Sequence, residues 1–185
     1  TFGNPDGAEI VERFKQFFSL TLNLDDGIEF DISSIKATEI RKDAGYPGIR
    51  ITLKARLDNA LIPIQCDLGF GDAVTPGPLS SAFPTLLPMP APQLLVYPQA
   101  TVVAEKLEAM VKLDELNSRV KDYFDIWVLL RQPELLDSDV INAIAATFER
   151  RKTVIPRVLP SGLSAQFAQT RSLQWQQFIR RNRLQ

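Results

Sequence analysis

Apolar side chains first recur at helical spacing between Ala8 and Leu20, where Ile10, Phe14, Phe17 and Phe18 are separated by Glu9, Glu12 and Lys15. That spacing gathers them on one face and predicts an amphipathic helix. Asp25-Asp26-Gly27 signals a turn, after which the period falls to two. Ile28, Phe30 and Ile32 alternate with Glu29 and Asp31, and Ile35 to Ile40 reads as a second short strand. Gly45-Tyr46-Pro47-Gly48 predicts another turn. Beyond it, Ile49, Ile51, Leu53, Ala55 and Leu57 alternate with Arg50, Thr52, Lys54 and Arg56, the clearest strand pattern in the chain. Asp58-Asn59 reverses it into Leu61 to Phe70, which predicts an antiparallel hairpin.

Seven prolines between Thr75 and Pro98 exclude a helix or a central strand there. The expectation is an extended surface connection in which Leu86, Leu87, Leu94 and Leu95 find burial. Helical spacing then returns over Thr101 to Leu113, Ser118 to Arg131, Ser138 to Arg151 and about Ser164 to Arg181. Strands first and helices afterwards predict an α+β fold, with residues 1–98 forming an α/β part and residues 99–185 a helical one.

Composition narrows the chemistry more than the fold. Across 185 residues, 45% hydrophobic and 23% charged positions suffice for a core. No apolar run is long enough to cross a bilayer, and no basic leader opens the chain. Cys66 is the single cysteine and histidine is absent, which excludes internal disulfides, zinc-type clusters and every histidine-based triad. Any catalysis falls to carboxylates, Lys, Arg and hydroxyls, and a reducing cytoplasm is the expected compartment. Thr1 in place of methionine implies processing or a piece of a longer chain. From Ala145 onward eight Lys/Arg face only Glu149, so this end carries +7 and the preceding residues −8 within a net charge of −1. Such a tail fits either a polyanionic partner or a solvated helix surface.

Three places offer reactive groups. Alternation puts Asp67 on the strand face opposite Ile62, Ile64, Cys66 and Leu68, just before Gly69 and Gly71. It reads as an exposed strand acid or as an acid facing a ligand. Lys106 has Val102, Val103, Ala109 and Met110 three and four positions away, with Glu105 and Glu108 beside it. A lysine in an apolar stripe either snorkels or meets an anion, since an unpaired buried ammonium is costly. In Ser118 to Trp127, Arg119, Asp122 and Asp125 fall on one helix side, and Lys121 and Asp125 form an i, i+4 pair. Salt bridges within the helix would explain that cluster without any function.

Together these residues form a recognisable series. Asp67 in its strand, then Thr101 to Ala109 with Ala104-Glu105-Lys106-Leu107, then Arg119-x-Lys121-Asp122-x-x-Asp125, resembles the successive motifs of the AbiEii/AbiGii-type nucleotidyltransferases, which include the MenT toxins. The resemblance runs from about Phe2 to Phe178. It implies a polymerase-β-like nucleotidyltransferase sheet followed by a helical region, and transfer of a nucleoside monophosphate from an NTP with Mg²⁺. The acceptor in several relatives is the 3′ end of tRNA, and a cognate antitoxin restrains the enzyme. Carried over by position, Asp67 corresponds to the third metal-site acid, Lys106 to the lysine on the NTP phosphates, and Asp125 to the acid of the last motif. Glu105, Arg119, Lys121 and Asp122 accompany them as substrate-binding candidates. The family's first motif, a Gly-Ser/Thr turn leading into Asp-x-Asp, does not occur in the 185 residues and is expected just upstream of Thr1. Asp67 alone cannot assemble a metal pair, so the expectation for these residues in isolation is inactivity. The alternative is a non-catalytic domain that binds nucleic acid or a protein partner on the same scaffold.

Overall fold

A computed structural model of the chain describes residues 6–20, 26–40 and 48–184. The chain divides into two compact units, Thr1–Asp72 and Ala73–Gln185. The turn expected at Gly45 to Pro47 and the first residue of the turn at Asp25 lie outside the described residues.

In the first unit, α1 spans Gly7–Phe18 and starts where the Asp6 carboxylate accepts from the backbone N–H groups of Ala8 and Glu9. A three-stranded antiparallel sheet follows in the order β1 (Ile28–Ile40), β2 (Gly48–Leu57) and β3 (Ala60–Gly69). The turn at Asp58-Asn59 connects β2 and β3 as the pattern predicts, with Asp58 at φ 52°. Alternation points Ile49, Ile51 and Leu53 of β2 to one face, where with Ile35 and Phe70 they form the core. Ile10, Val11, Phe14 and Phe18 of α1 close that face. Nearly complete burial of three branched side chains at the centre stabilises the unit by roughly 5–9 kcal/mol before entropy is counted.

The two short strands expected at 28–32 and 35–40 are one strand. Its register slips against β2 between Asp31 and Lys36. Ser34 makes the slip possible: its hydroxyl donates to the Asp31 carbonyl at 2.7 Å and accepts from the Lys54 N–H at 2.8 Å, satisfying a donor that the interrupted ladder would leave unpaired. Inward-facing positions change there from Phe30 and Ile32 to Ile35 and Ala37.

The second unit opens with the proline-rich stretch, where β4 (Leu79–Ala82) and β5 (Gln93–Val96) pair antiparallel. The prolines flank this ladder rather than interrupt it, so they exclude a central strand but leave room for a hairpin. The leucines expected to be buried are exposed, fully so at Leu86, because a two-stranded hairpin has too little surface to cover them. Helices α2 (Gln99–Leu113), α3 (Val120–Leu129) and α4 (Asp137–Arg150) follow. Ala100 and Ala104 of α2 meet Ala143 of α4, and these small side chains let the two backbones approach closely. The last predicted helix is two, α5 (Ala165–Thr170) and α6 (Ser172–Arg181). At the break, the Thr170 hydroxyl donates back to the Phe167 carbonyl and Arg171 Nη2 donates to the Glu115 carbonyl. The architecture is α+β, with a small antiparallel sheet and several helices.

Candidate functional site

Helix α2 carries Lys106 and α3 carries Asp122 and Asp125, and packing of these helices joins the three. Lys106 Nζ lies 2.5 Å from Asp122 Oδ1 and 2.8 Å from Asp125 Oδ2. Lys121 Nζ reaches the same Asp125 oxygen from one turn earlier in α3, at 2.5 Å. The inner three side chains are only 15–20% exposed, whereas that of Lys121 is 71% exposed. The lysine in an apolar stripe therefore meets anions, and those anions come from the chain itself.

Charge states follow from this packing. Burial works against the Lys106 ammonium, but hydrogen bonds to Asp122 and Asp125 outweigh it and hold the group above the ordinary lysine value. Burial likewise pushes the Asp125 carboxyl up, yet hydrogen bonds from Lys106 and Lys121 overcome it and leave Asp125 below the usual carboxylate range. By formal charge, two lysines face two aspartates, so the cluster balances.

The other expected site residues have partners of their own. Asp67 is in the first unit, opposite Arg50 in the β2–β3 register. Arg50 Nε and Nη2 donate to its two carboxylate oxygens at 2.8 and 2.9 Å, a forked pair with both side chains about two-fifths exposed. This hydrogen bonding raises the Arg50 guanidinium above its ordinary value. Asp67 does face outward with Gln65, as alternation required. Glu105 points to Arg151, 3.5 Å away, rather than into the Lys106 cluster. Arg119 is the exposed N-cap position of α3, and its backbone N–H donates to Asn117 Oδ1.

Two networks escaped the sequence reading. Glu108 is buried and accepts from Arg151 Nη1 at 2.9 Å and the Thr153 hydroxyl at 2.6 Å, tying α2 to the end of α4. Its signal was present: Thr101, Ala104 and Glu108 share the buried stripe of α2, so an acid there must find a cation. The second network is anchored by buried Asn117, whose Nδ2 donates to the Tyr123 hydroxyl at 3.3 Å. That hydroxyl donates in turn to the Gly162 carbonyl at 2.9 Å. Gly162 is required by close approach, since a Cβ would sit 2.8 Å from the Asp114 carbonyl oxygen.

Among the described residues no three His, Cys, Asp or Glu side chains are grouped to hold a metal ion. Both Asp67 oxygens are taken by Arg50, and the inner carboxylates of α3 are already neutralised by lysines. Among the described residues no helix is long and apolar enough to cross a membrane.

No curated protein and no solved structure matches the chain. A family model described as nucleotidyl transferase AbiEii toxin, type IV TA system, matches residues 2–184. That match spans both units and every residue of the Lys106 cluster. The chain thus belongs to the AbiEii nucleotidyltransferase toxin family of type IV toxin–antitoxin systems.

Proposed function

We propose that Lys106 is the cation that receives the phosphates of an NTP, and that Asp122 and Asp125 keep it charged and placed until the nucleotide arrives. The observation behind this reading is the half-buried ammonium held between two carboxylates on a neighbouring helix. Transfer of a nucleoside monophosphate builds negative charge on the departing pyrophosphate, and a fixed cation in a partly dry site offsets it better than a solvated one. Burial works against the ammonium at that depth, and the carboxylates outweigh it. When phosphate oxygens take over as partners, the ammonium exchanges one set of anions for another with little change in its solvation. Lys121 of α3 and Arg119 at its N-cap, both exposed, then meet the outer phosphates in this reading. Glu105, held towards Arg151, acts as a support of α2.

The family generally uses a divalent metal, and Asp67 is the residue that corresponds by position to a metal ligand. Because the family's Asp-x-Asp motif does not occur in these 185 residues, we infer that they bind NTP without transferring it. The acceptor we infer is an RNA end, the tRNA 3′ terminus being the leading candidate, and the protein partner is the antitoxin that a type IV system implies. Titration with a fluorescent NTP tests the core of this. Lys106→Met should lose at least about tenfold in affinity, a factor corresponding to one charge-assisted hydrogen bond. Unchanged affinity would remove Lys106 from the site.

A second reading, a non-catalytic nucleic-acid or partner-binding domain, is favoured by exposed Arg180, Arg181 and Arg183 at the C-terminal end. Charge reversal there should flatten the salt dependence of RNA binding and leave NTP affinity intact. Concentration of every binding defect in these arginines, with none at Lys106, would favour this second reading.

A further inference from the structure

A cavity of about 380 Å³ lies between α3, the tight turn at Ser161–Leu163, α5 and α6, outside the Lys106 cluster. Its walls are aromatic. Tyr123, Phe167 and Trp175 line it, with the Tyr123 and Phe167 rings stacked at 6.0 Å between centroids and 30° between planes. Asn117, Arg171 and Gln176 supply the polar part of the lining. These walls are fixed before any ligand arrives. Tyr123 and Asn117 are hydrogen-bonded to each other, and Arg171 is held by the Glu115 carbonyl at 2.8 Å with its guanidinium 5.2 Å from the Phe167 ring centre.

The size suits a small planar group, and the chemistry selects its kind. A purely aliphatic guest would leave Arg171 and Gln176 unused. A heteroaromatic ring stacks on the aromatic faces while its edge reaches these two side chains. Helix α6, which brings Trp175 and Gln176 to the cavity, also ends in exposed Arg180 and Arg181, with Arg183 just beyond. Stacking platforms beside a run of cations match a base attached to a phosphate backbone. Helix α3 links the two sites, because Asp122 of the lysine cluster and Tyr123 of the cavity are consecutive residues.

We propose that this cavity takes an unpaired base of a single-stranded RNA, whose phosphates run along the arginines at the end of α6. The inference rests on the reading that the acceptor is RNA, and it adds where that RNA is gripped.

The test uses the 185-residue chain and a fluorescein-labelled single-stranded RNA of about ten nucleotides, a length typical of such grooves. Ala168 lines the cavity from α5, and Ala168→Trp should fill the space without removing a wall. RNA affinity should fall about tenfold with the salt slope unchanged and NTP binding preserved. In a Trp127→Phe background Trp175 is the sole tryptophan, and its fluorescence should be quenched on RNA addition. That quench needs no cavity-filling variant, so it decides the matter even should Ala168→Trp fail to fold. Normal RNA affinity in a folded Ala168→Trp chain, or an unquenched Trp175 in the RNA complex, overturns the cavity and leaves the RNA acceptor standing. A blunt RNA duplex competing as well as the single strand also overturns it, since no base would be free to enter. If NTP binds and no RNA does, the acceptor reading and this inference fail together.

Discussion

Asp67 and Asp125 are both acids paired with cations, but they sit in opposite settings. Asp67 shares a forked pair with Arg50 on an open sheet face, where water solvates both partners. Asp125 sits between two lysines with four-fifths of its side chain covered, and one of those lysines is as enclosed as itself. Exposed pairs contribute little because water competes for each charge, whereas enclosed pairs depend on one another once both are desolvated. The difference identifies the Lys106 cluster as the place where losing one member strands the others. It also makes the Arg50–Asp67 pair one that a ligand can open at small cost.

The comparison is broken most severely at the deepest ion pair, Glu108 with Arg151. The Glu108 side chain is 3% exposed, and Arg151→Met leaves its carboxylate with only the Thr153 hydroxyl. The expected loss is about 3–5 kcal/mol, or a melting temperature lower by roughly 10 °C. Replacing both partners, Glu108→Met with Arg151→Met, should recover most of that loss, because no desolvated charge then remains. A double variant as unstable as the single one would show that the pair acts through shape rather than charge.

Next comes Lys106. Lys106→Met leaves two carboxylates facing each other with only the exposed Lys121 for company, and should cost about 2 kcal/mol, less than Arg151 because the site is less enclosed. Its pH signature is specific. Asp125 has its folded-state value below 3.8, so its contribution is complete above that pH and is lost as pH falls through the lower folded value. Lys106 lies above 10.5 when folded, so its contribution is complete below 10.5 and is lost as pH rises through the higher value. These two groups add no pH dependence between those limits, and Asp125→Asn should weaken the acid limb. Thermal melts across pH would contradict the assignment if that variant kept the full acid dependence.

How far the sequence reached follows the same physics. The α1 face and the β2–β3 hairpin were legible because burial on one side imposes a period that no tertiary contact can erase. Lys106 was legible as a problem, a charge in an apolar stripe, but its solution lay sixteen and more residues away on another helix. The β1 irregularity was not legible, since it depends on the Ser34 hydroxyl substituting for a ladder partner of Lys54. Nor was the hairpin inside the proline-rich stretch, where the laddered positions happen to be free of proline. The break at Arg171 interrupts an unbroken helical pattern through contacts with residues as distant as Glu115. Within the lysine cluster only the Lys121–Asp125 pair was readable from spacing, and the Asn117–Tyr123–Gly162 network needed the chain to fold back over thirty-nine residues.

Smaller effects sharpen the contrast at its exposed end. Arg50→Ala should shift the melting temperature by less than about 3 °C, since the fork is solvated on both sides. A larger drop would mean that the pair fixes the β2–β3 register, and the sheet's hydrogen-exchange protection would fall with it.

The smallest expected change is at Lys121. It touches the same Asp125 oxygen as Lys106, yet its own side chain is 71% exposed and it pairs within a single helix. Lys121→Ala should therefore cost only about 0.3–0.5 kcal/mol, the ordinary worth of an exposed i, i+4 pair. Moderate salt should remove most of that difference, because the ammonium is screened where Lys106 is not. Asp125 should remain below the usual carboxylate range in this variant, held there by Lys106, and regain that range only when Lys106 is removed as well. A double variant no worse than Lys106→Met would confirm that Asp125 owes its charge to the enclosed lysine. Equal effects from the two lysines would instead mean that depth does not distinguish them, and the contrast between solvated and enclosed pairs would lose its basis within this cluster.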